Sequence, residues 1–112
     1  MTGGFPRAVR LLGPKDFERV YSLRRRVSDS FFSINFAPSP TGKARMGLSV
    51  GAKAVGNAVA RNRVKRLVRD WFRLCKDELP AMDLVVGARN GAASAHNARL
   101  RESLAYLRKK LP

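Results

Sequence analysis

A chain of 112 residues has room for one domain, 1–112, with a modest core, and its 45% hydrophobic content excludes a disordered polypeptide. Lys and Arg number 23 against 8 Asp and Glu, a net charge of +15 whose self-repulsion a polyanion would relieve, with nucleic acid the first candidate and an anionic membrane surface the second. No apolar run approaches the ~20 residues of a membrane span, and the opening MTGGFPRAVRLL lacks the apolar core of a signal peptide, so a cytoplasmic protein is expected. Cys75 is the single cysteine, which leaves no internal disulfide, and with the single histidine, His96, it makes no zinc finger.

In chain order, GPKDFERVYSLRRR (13–26) reads as a short helix. Pro14 suits a first turn, and Phe17, Val20 and Tyr21 share one face. FFSINFA (31–37) alternates as a strand, with Phe32, Ile34 and Phe36 on one side and Ser33 and Asn35 on the other. APSPTGKA (37–44) has the Pro and Gly of a hairpin loop, and RMGLSVGA (45–52) alternates again through Met46, Leu48 and Val50. A long helix is expected from about Asn57 to about Leu79, ended by Pro80. DLVVGAR (83–89) is a continuous apolar run and so a buried strand, and 89–97 is a loop with caps. A last helix, roughly 95–110, repeats Leu100, Leu104, Leu107 and Leu111. The order helix, two or three strands, helix, strand, helix predicts an α/β (α+β) two-layer sandwich, three helices packed on a small mixed sheet of about four strands.

The long helix segregates its side chains. At ~100° per residue from Arg61, the residues Lys65, Lys76, Arg69, Asn62, Arg73 and Arg66 all fall within an arc of roughly 140°. Ala60, Val64, Leu67, Val68, Trp71, Leu74 and Cys75 occupy a separate arc, with Arg63 and Phe72 near the boundaries. A solvated helix face usually interleaves Glu with Lys. This face has almost no acid, Asp70 lies beyond its edge, and Arg61, Lys65 and Arg69 repel one another four residues apart. A row of phosphates removes that penalty. Arg grips phosphate in bidentate fashion and stacks on bases, and the amide of Asn62 can read a base edge or a ribose hydroxyl, or orient a neighbouring Arg.

The string GLSVGAKAVGNAVARNRVKRLVRDWFR (47–73) resembles the signature of the bacterial ribonuclease P protein component. The R-N-x-x-K-R core stands at Arg61, Asn62, Lys65 and Arg66, and the resemblance extends to PKDFERVY and to DLVVGAR, nearly the whole chain. One departure is visible. The family usually carries two lysines after the strand, where this chain has Ala52 and a single Lys53. The resemblance implies the protein subunit of a ribozyme that removes the 5′ leader of precursor tRNA. The RNA would carry the chemistry with Mg²⁺ held mainly by that RNA, and no organic cofactor is implied. The implied partners are the catalytic RNA and precursor tRNA, with no membrane and no obligate protein partner. The implied fold places the basic helix in a left-handed βαβ crossover, against the usual hand.

The RNA-binding residues so implied are Lys53, Asn57, Arg61, Asn62, Arg63, Lys65, Arg66, Arg69 and Arg73, with Arg45 and Arg89. The leader is expected in a cleft between the first helix and the sheet, against Phe17, Tyr21 and Asn35. Asn35 stands where the family often has an aromatic residue. Helical spacing equally allows Phe17 to be core, whereas the Tyr21 hydroxyl suits an exposed edge. Arg24, Arg25 and Arg26 either extend the RNA footprint or decorate a solvated loop, and Arg108, Lys109 and Lys110 complement a helix C-terminus.

A protein-only nuclease would need clustered carboxylates. The acids are Asp16, Glu18, Asp29, Asp70, Asp77, Glu78, Asp83 and Glu102; only Asp77 and Glu78 adjoin, and no Ser-His-Asp or Cys-His pairing is suggested. The isolated protein is therefore expected to be non-catalytic. A structural RNA-binding protein of ribosomal type shares the charge and the basic helix, but not the R-N-x-x-K-R string. A DNA-binding architectural protein is a weaker fit, without helix-turn-helix spacing or a zinc motif.

Overall fold

The computed structural model describes residues 13–50 and 56–112. Helix α1 spans Pro14–Ser22, with Pro14 in its first turn and Asp16 at the positive end of its dipole. The helix expected over 13–26 stops early because Arg24 turns to φ 54° after the C-cap Leu23. The chain reverses there, and Arg26–Ser28 forms strand β1. Strands β2 (Phe32–Pro38) and β3 (Arg45–Ser49) follow. Helix α2 spans Ala58–Cys75 and tightens into a 3-10 turn at Lys76–Glu78, strand β4 spans Met82–Ala88, and helix α3 spans Asn97–Lys110 after a 3-10 turn at Asn90–Ala93.

The sheet order is β1-β2-β4-β3, with β4 antiparallel to β2 and parallel to β3. Segment 37–44 is therefore not a hairpin loop: it joins strands that flank β4 rather than pair with each other. The physical reason is burial. Met82 to Val86 are all buried, so β4 takes the centre, where both faces are covered, and β2 and β3 take its sides. A parallel β3–β4 pair needs a long crossover, which α2 supplies.

Two cores lie on opposite faces of this sheet. On one face Phe32, Ile34, Met46, Leu84 and Val86 pack with Val64, Leu67, Val68 and Phe72 of α2 and with Leu100, Leu104, Leu107 and Leu111 of α3. On the other, α1 is the one described helix: Val20, Ala37 and Val85 form a small cluster with Phe17 against it, a partial third layer among the described residues. At about 1.5–3 kcal/mol for each fully buried aliphatic side chain, the first core dominates stability.

The apolar stripe of α2 is rotated from its expected position. Phe72, placed at the boundary by the wheel, is fully buried, and Leu74, placed in the apolar arc, is 69% exposed. The helix turns its Phe72 flank into the main core, where a large ring removes more apolar surface from water than Leu74 would.

Candidate nucleic-acid interface

The structure sorts the cations of α2 into two groups. Arg63 is directed inward, donating to the carbonyl oxygens of Ala92, Ala93 and Ala95 and, at 2.7 Å, to Oδ1 of Asn97. It thereby fastens α2 to the turn before α3. Arg73 pairs with Asp70 at 3.0 Å, so an acid does reach the edge of the cationic face, and Lys76 lies 3.7 Å from Asp77. Among the described residues, Arg61, Lys65, Arg66 and Arg69 have no salt bridge. Arg66 and Arg69 are exposed with Asn62, while Arg61 and Lys65 are half-buried because they border the Phe72 flank. Asn57 caps the helix, its Oδ1 accepting from the Ala60 N–H at 2.8 Å. What remains outward is a field of four cations around one amide.

The second surface is the sheet face that α1 only partly covers. Alternation puts Ser33, Asn35 and Ala37 of β2 on this face, with Asp83, Val85 and Gly87 opposite them on β4. Ser28, Ser33, Gly87 and Ser49 pair in register across all four strands, a row of small residues beside the α1 contact. A Cβ on Gly87 would stand 3.2 Å from Oγ of Ser33, so glycine keeps this floor low. Phe17 and Tyr21 line an open depression along α1 with Gly13, Pro14, Glu18, Ser22 and Arg24. Tyr21 is 43% exposed, whereas Phe17 also packs on the Val20 cluster and so is partly core. Asn35 shares the sheet face with α1 but does not line that depression.

Arg45, taken from the sequence as an RNA contact, is held internally: Nε and Nη2 donate to Oδ1 and Oδ2 of Asp83 at 2.9 and 2.7 Å. Arg89 is exposed after β4, and its charge helps hold the Asp29 carboxyl down. Lys53 and Ala52 lie outside the described residues. Arg108 and Lys110 sit in the last turn of α3, as its dipole favours, Arg108 donating to the Glu78 carbonyl and Lys110 standing 4.6 Å from the Tyr106 ring centroid. His96 is the N-cap of α3, a backbone role.

Sequence reasoning missed Asp83 and Arg19. Asp83 is completely buried, and it accepts from Arg19 of α1 as well as from Arg45. Burial pushes its carboxyl up, but the two guanidinium groups outweigh that and hold it below the usual carboxylate range. Its signal in the sequence is an acid heading an otherwise apolar strand. Asp29 is likewise engaged, accepting from the Phe31 and Phe32 N–H groups at 2.9 Å and from Ser103. Burial raises its carboxyl and those bonds overcome the effect. Among the described residues no three metal-ligating side chains gather, so this donor set forms no metal cage.

A small α/β protein with a cationic helix face and an open polar sheet face belongs to the class of compact RNA-binding proteins. The ribonuclease P family model matches residues 5–112. The ribonuclease P protein component of Photorhabdus laumondii is 45% identical over 103 residues, spanning 92% of this chain and 87% of that protein, and that of Escherichia coli O157:H7 is 44% identical over the same shares. The RNase P protein of Staphylococcus aureus superposes with a TM-score of 0.85 at 32% identity, over 92% of this chain and 94% of that one. That of Thermotoga maritima superposes with a TM-score of 0.80 at 28% identity, over 92% of this chain and 97% of that one. The chain belongs to the ribonuclease P protein family. It therefore acts as the protein subunit of a ribonucleoprotein endoribonuclease of tRNA 5′ maturation, with an RNA partner and no catalysis by the protein alone.

Proposed function

We propose a division between the two surfaces: α2 binds the catalytic RNA, and the α1 side of the sheet binds the 5′ leader of precursor tRNA. The observation that carries this reading is the sorting of cations on α2. Arg61, Lys65, Arg66 and Arg69 lack acidic partners among the described residues and surround Asn62, while Arg63 and Arg73 are engaged within the protein. An unpaired field repels itself until phosphates arrive, so its free energy is recovered on binding. Lys53 joins this RNA-binding set, and Arg89 extends it from the end of β4. Asn57 and Arg45 contribute by holding the scaffold. Single-stranded nucleic acid is commonly held by aromatic stacking within a polar, basic groove, which suits Tyr21 and Phe17 in the open depression along α1, with Asn35 and the row of small residues on the sheet face that α1 packs against.

Mg²⁺ is assigned mainly to the RNA, where it would supply the charge stabilisation of phosphodiester cleavage. The acids of the described chain support that assignment, since Asp83 and Asp29 are occupied by Arg and Ser partners. No described helix is long and apolar enough to cross a membrane, which fits a cytoplasmic ribonucleoprotein.

Tyr21→Ala tests the leader assignment. In the reconstituted holoenzyme, loss of one stacked base is expected to cost about 1–3 kcal/mol for precursor tRNA with a leader several nucleotides long. Affinity for mature tRNA, and of the protein for the catalytic RNA, is expected to hold. Equal losses for both tRNAs, or none for either, would place the leader elsewhere.

A further inference from the structure

Helix α1 is weakly seated. Among the described residues, its apolar seat on its face of the sheet is a cluster of Val20, Ala37 and Val85 with Phe17 at the side. Against that small contact stands an ionic one. The Asp83 carboxylate, fully buried at the start of β4, takes both oxygens to Arg45 of β3 and also receives Nη2 of Arg19 from α1. Arg19 further donates Nη1 to the Pro38 carbonyl at 3.0 Å, and Asp16 lies 3.6 Å from Arg19 and 3.5 Å from Arg45. Helix α1 and strands β3 and β4 thus meet at one carboxylate, and Arg19 extends the cluster to the Pro38 carbonyl of β2.

The position of Arg19 on the helix gives this cluster its consequence. At ~100° per residue, Arg19 and Tyr21 lie about 100° to either side of Val20, and Phe17 lies on the Tyr21 flank. One flank of α1 is tied down, and the opposite flank carries the aromatic rings. A helix seated on one valine line can roll about it unless a flank is held.

We propose that Asp83 is a positioning residue: through Arg19 it fixes the roll of α1 on the sheet and so sets where Phe17 and Tyr21 meet the leader. This rests on the leader assignment above. The same pairing holds the Asp83 carboxyl below its ordinary range, because burial, which raises it, is overcome by the bonds from Arg45 and Arg19.

The experiment uses the full protein reconstituted with its catalytic RNA. Asp83→Asn removes the charge, and because it takes from Arg45 both of its Asp83 bonds, Arg19→Met serves as the milder variant: it removes the direct tie from α1 to Asp83 and to the Pro38 carbonyl while the Asp83–Arg45 pair and the Asp16–Arg45 contact at 3.5 Å remain. Leu104→Ala, a core cavity under α3, is the control for stability alone. For Arg19→Met the expected result is faster amide exchange across α1 with β4 and α3 unchanged, and about a tenfold loss of affinity for leader-bearing precursor tRNA. Mature tRNA should bind as before, and Leu104→Ala should lower the melting temperature without a leader-specific loss. Unchanged α1 exchange, or equal losses for the two tRNAs, overturns the proposal. Tyr21→Ala run in parallel separates the two ideas. If it alone shows a leader-specific loss, the Asp83 proposal falls and the leader assignment stands. If neither variant does, the assignment falls and takes the positioning role with it.

Discussion

Arg24 holds φ 54°, a region where an L side chain crowds the following carbonyl at a cost of about 1–2 kcal/mol. The position follows the C-cap of α1, where glycine is the usual occupant because it has no Cβ. Arg24→Gly should therefore stabilise the fold by about 0.5–1 kcal/mol after the entropy glycine adds to the unfolded chain, measured by thermal or denaturant unfolding. Arg24 also lines the depression that holds Phe17 and Tyr21. If its guanidinium contacts RNA, the more stable variant will bind precursor tRNA less well, the trade expected where strain is kept at a working site. Unchanged binding would make Arg24 a turn residue only. The same scale shows why identical letters carry different roles. Arg63 and Arg66 are indistinguishable as charges in the sequence, and only the proximity of the Ala92, Ala93 and Ala95 carbonyls, some thirty positions onward, makes Arg63 internal.

Helix α2 can be tested as a unit. Replacing Arg61, Lys65 and Arg66 by Ala should weaken binding to the catalytic RNA, and each lost phosphate contact should reduce the log–log salt slope by roughly 0.7–0.9. The fold should survive by circular dichroism, because the buried side chains of α2, Val64, Leu67, Val68 and Phe72, are all kept. Arg63→Ala should do the reverse, costing about 1–3 kcal/mol of stability through the acceptors it strands, with little change in salt slope. Periodicity made the elements legible. The leucines of α3 are buried as their spacing predicts, and the buried run of β4 is read correctly from its unbroken apolar residues. Strand β1 was hidden because three consecutive arginines continue a helical segment until Arg24 reverses it. The rotation of α2 toward Phe72 was hidden because a helical wheel averages hydrophobicity and does not know the shape of the facing sheet. The α2 face was legible as a cluster of like charge, but Asp83 was not legible as a junction, since its partners lie 64 and 38 positions away.

At the scale of the whole molecule, charge and chemistry divide between two polymers. A net charge of +15 destabilises the free protein and is relieved by the RNA it binds. The rigorously RNA-free protein should leave precursor tRNA intact at any Mg²⁺ concentration, and addition of the cognate RNA should restore cleavage at low Mg²⁺. Leader removal by the protein alone, followed by gel electrophoresis, would overturn that division. A different consequence follows from the place of β4, which pairs with both β2 and β3 yet comes after both in the chain. During synthesis β2 and β3 emerge first with no central partner, and α2 is made before the sheet it will cover exists. The sheet can close only when residues 82–88 arrive, so the nascent protein stays open for about three-quarters of its translation. Most native strand pairing is therefore long-range, which slows folding relative to a chain of local contacts. A chain stalled before residue 82 would expose the inner edges of β2 and β3, and termination there would yield an aggregation-prone fragment rather than a weaker subunit.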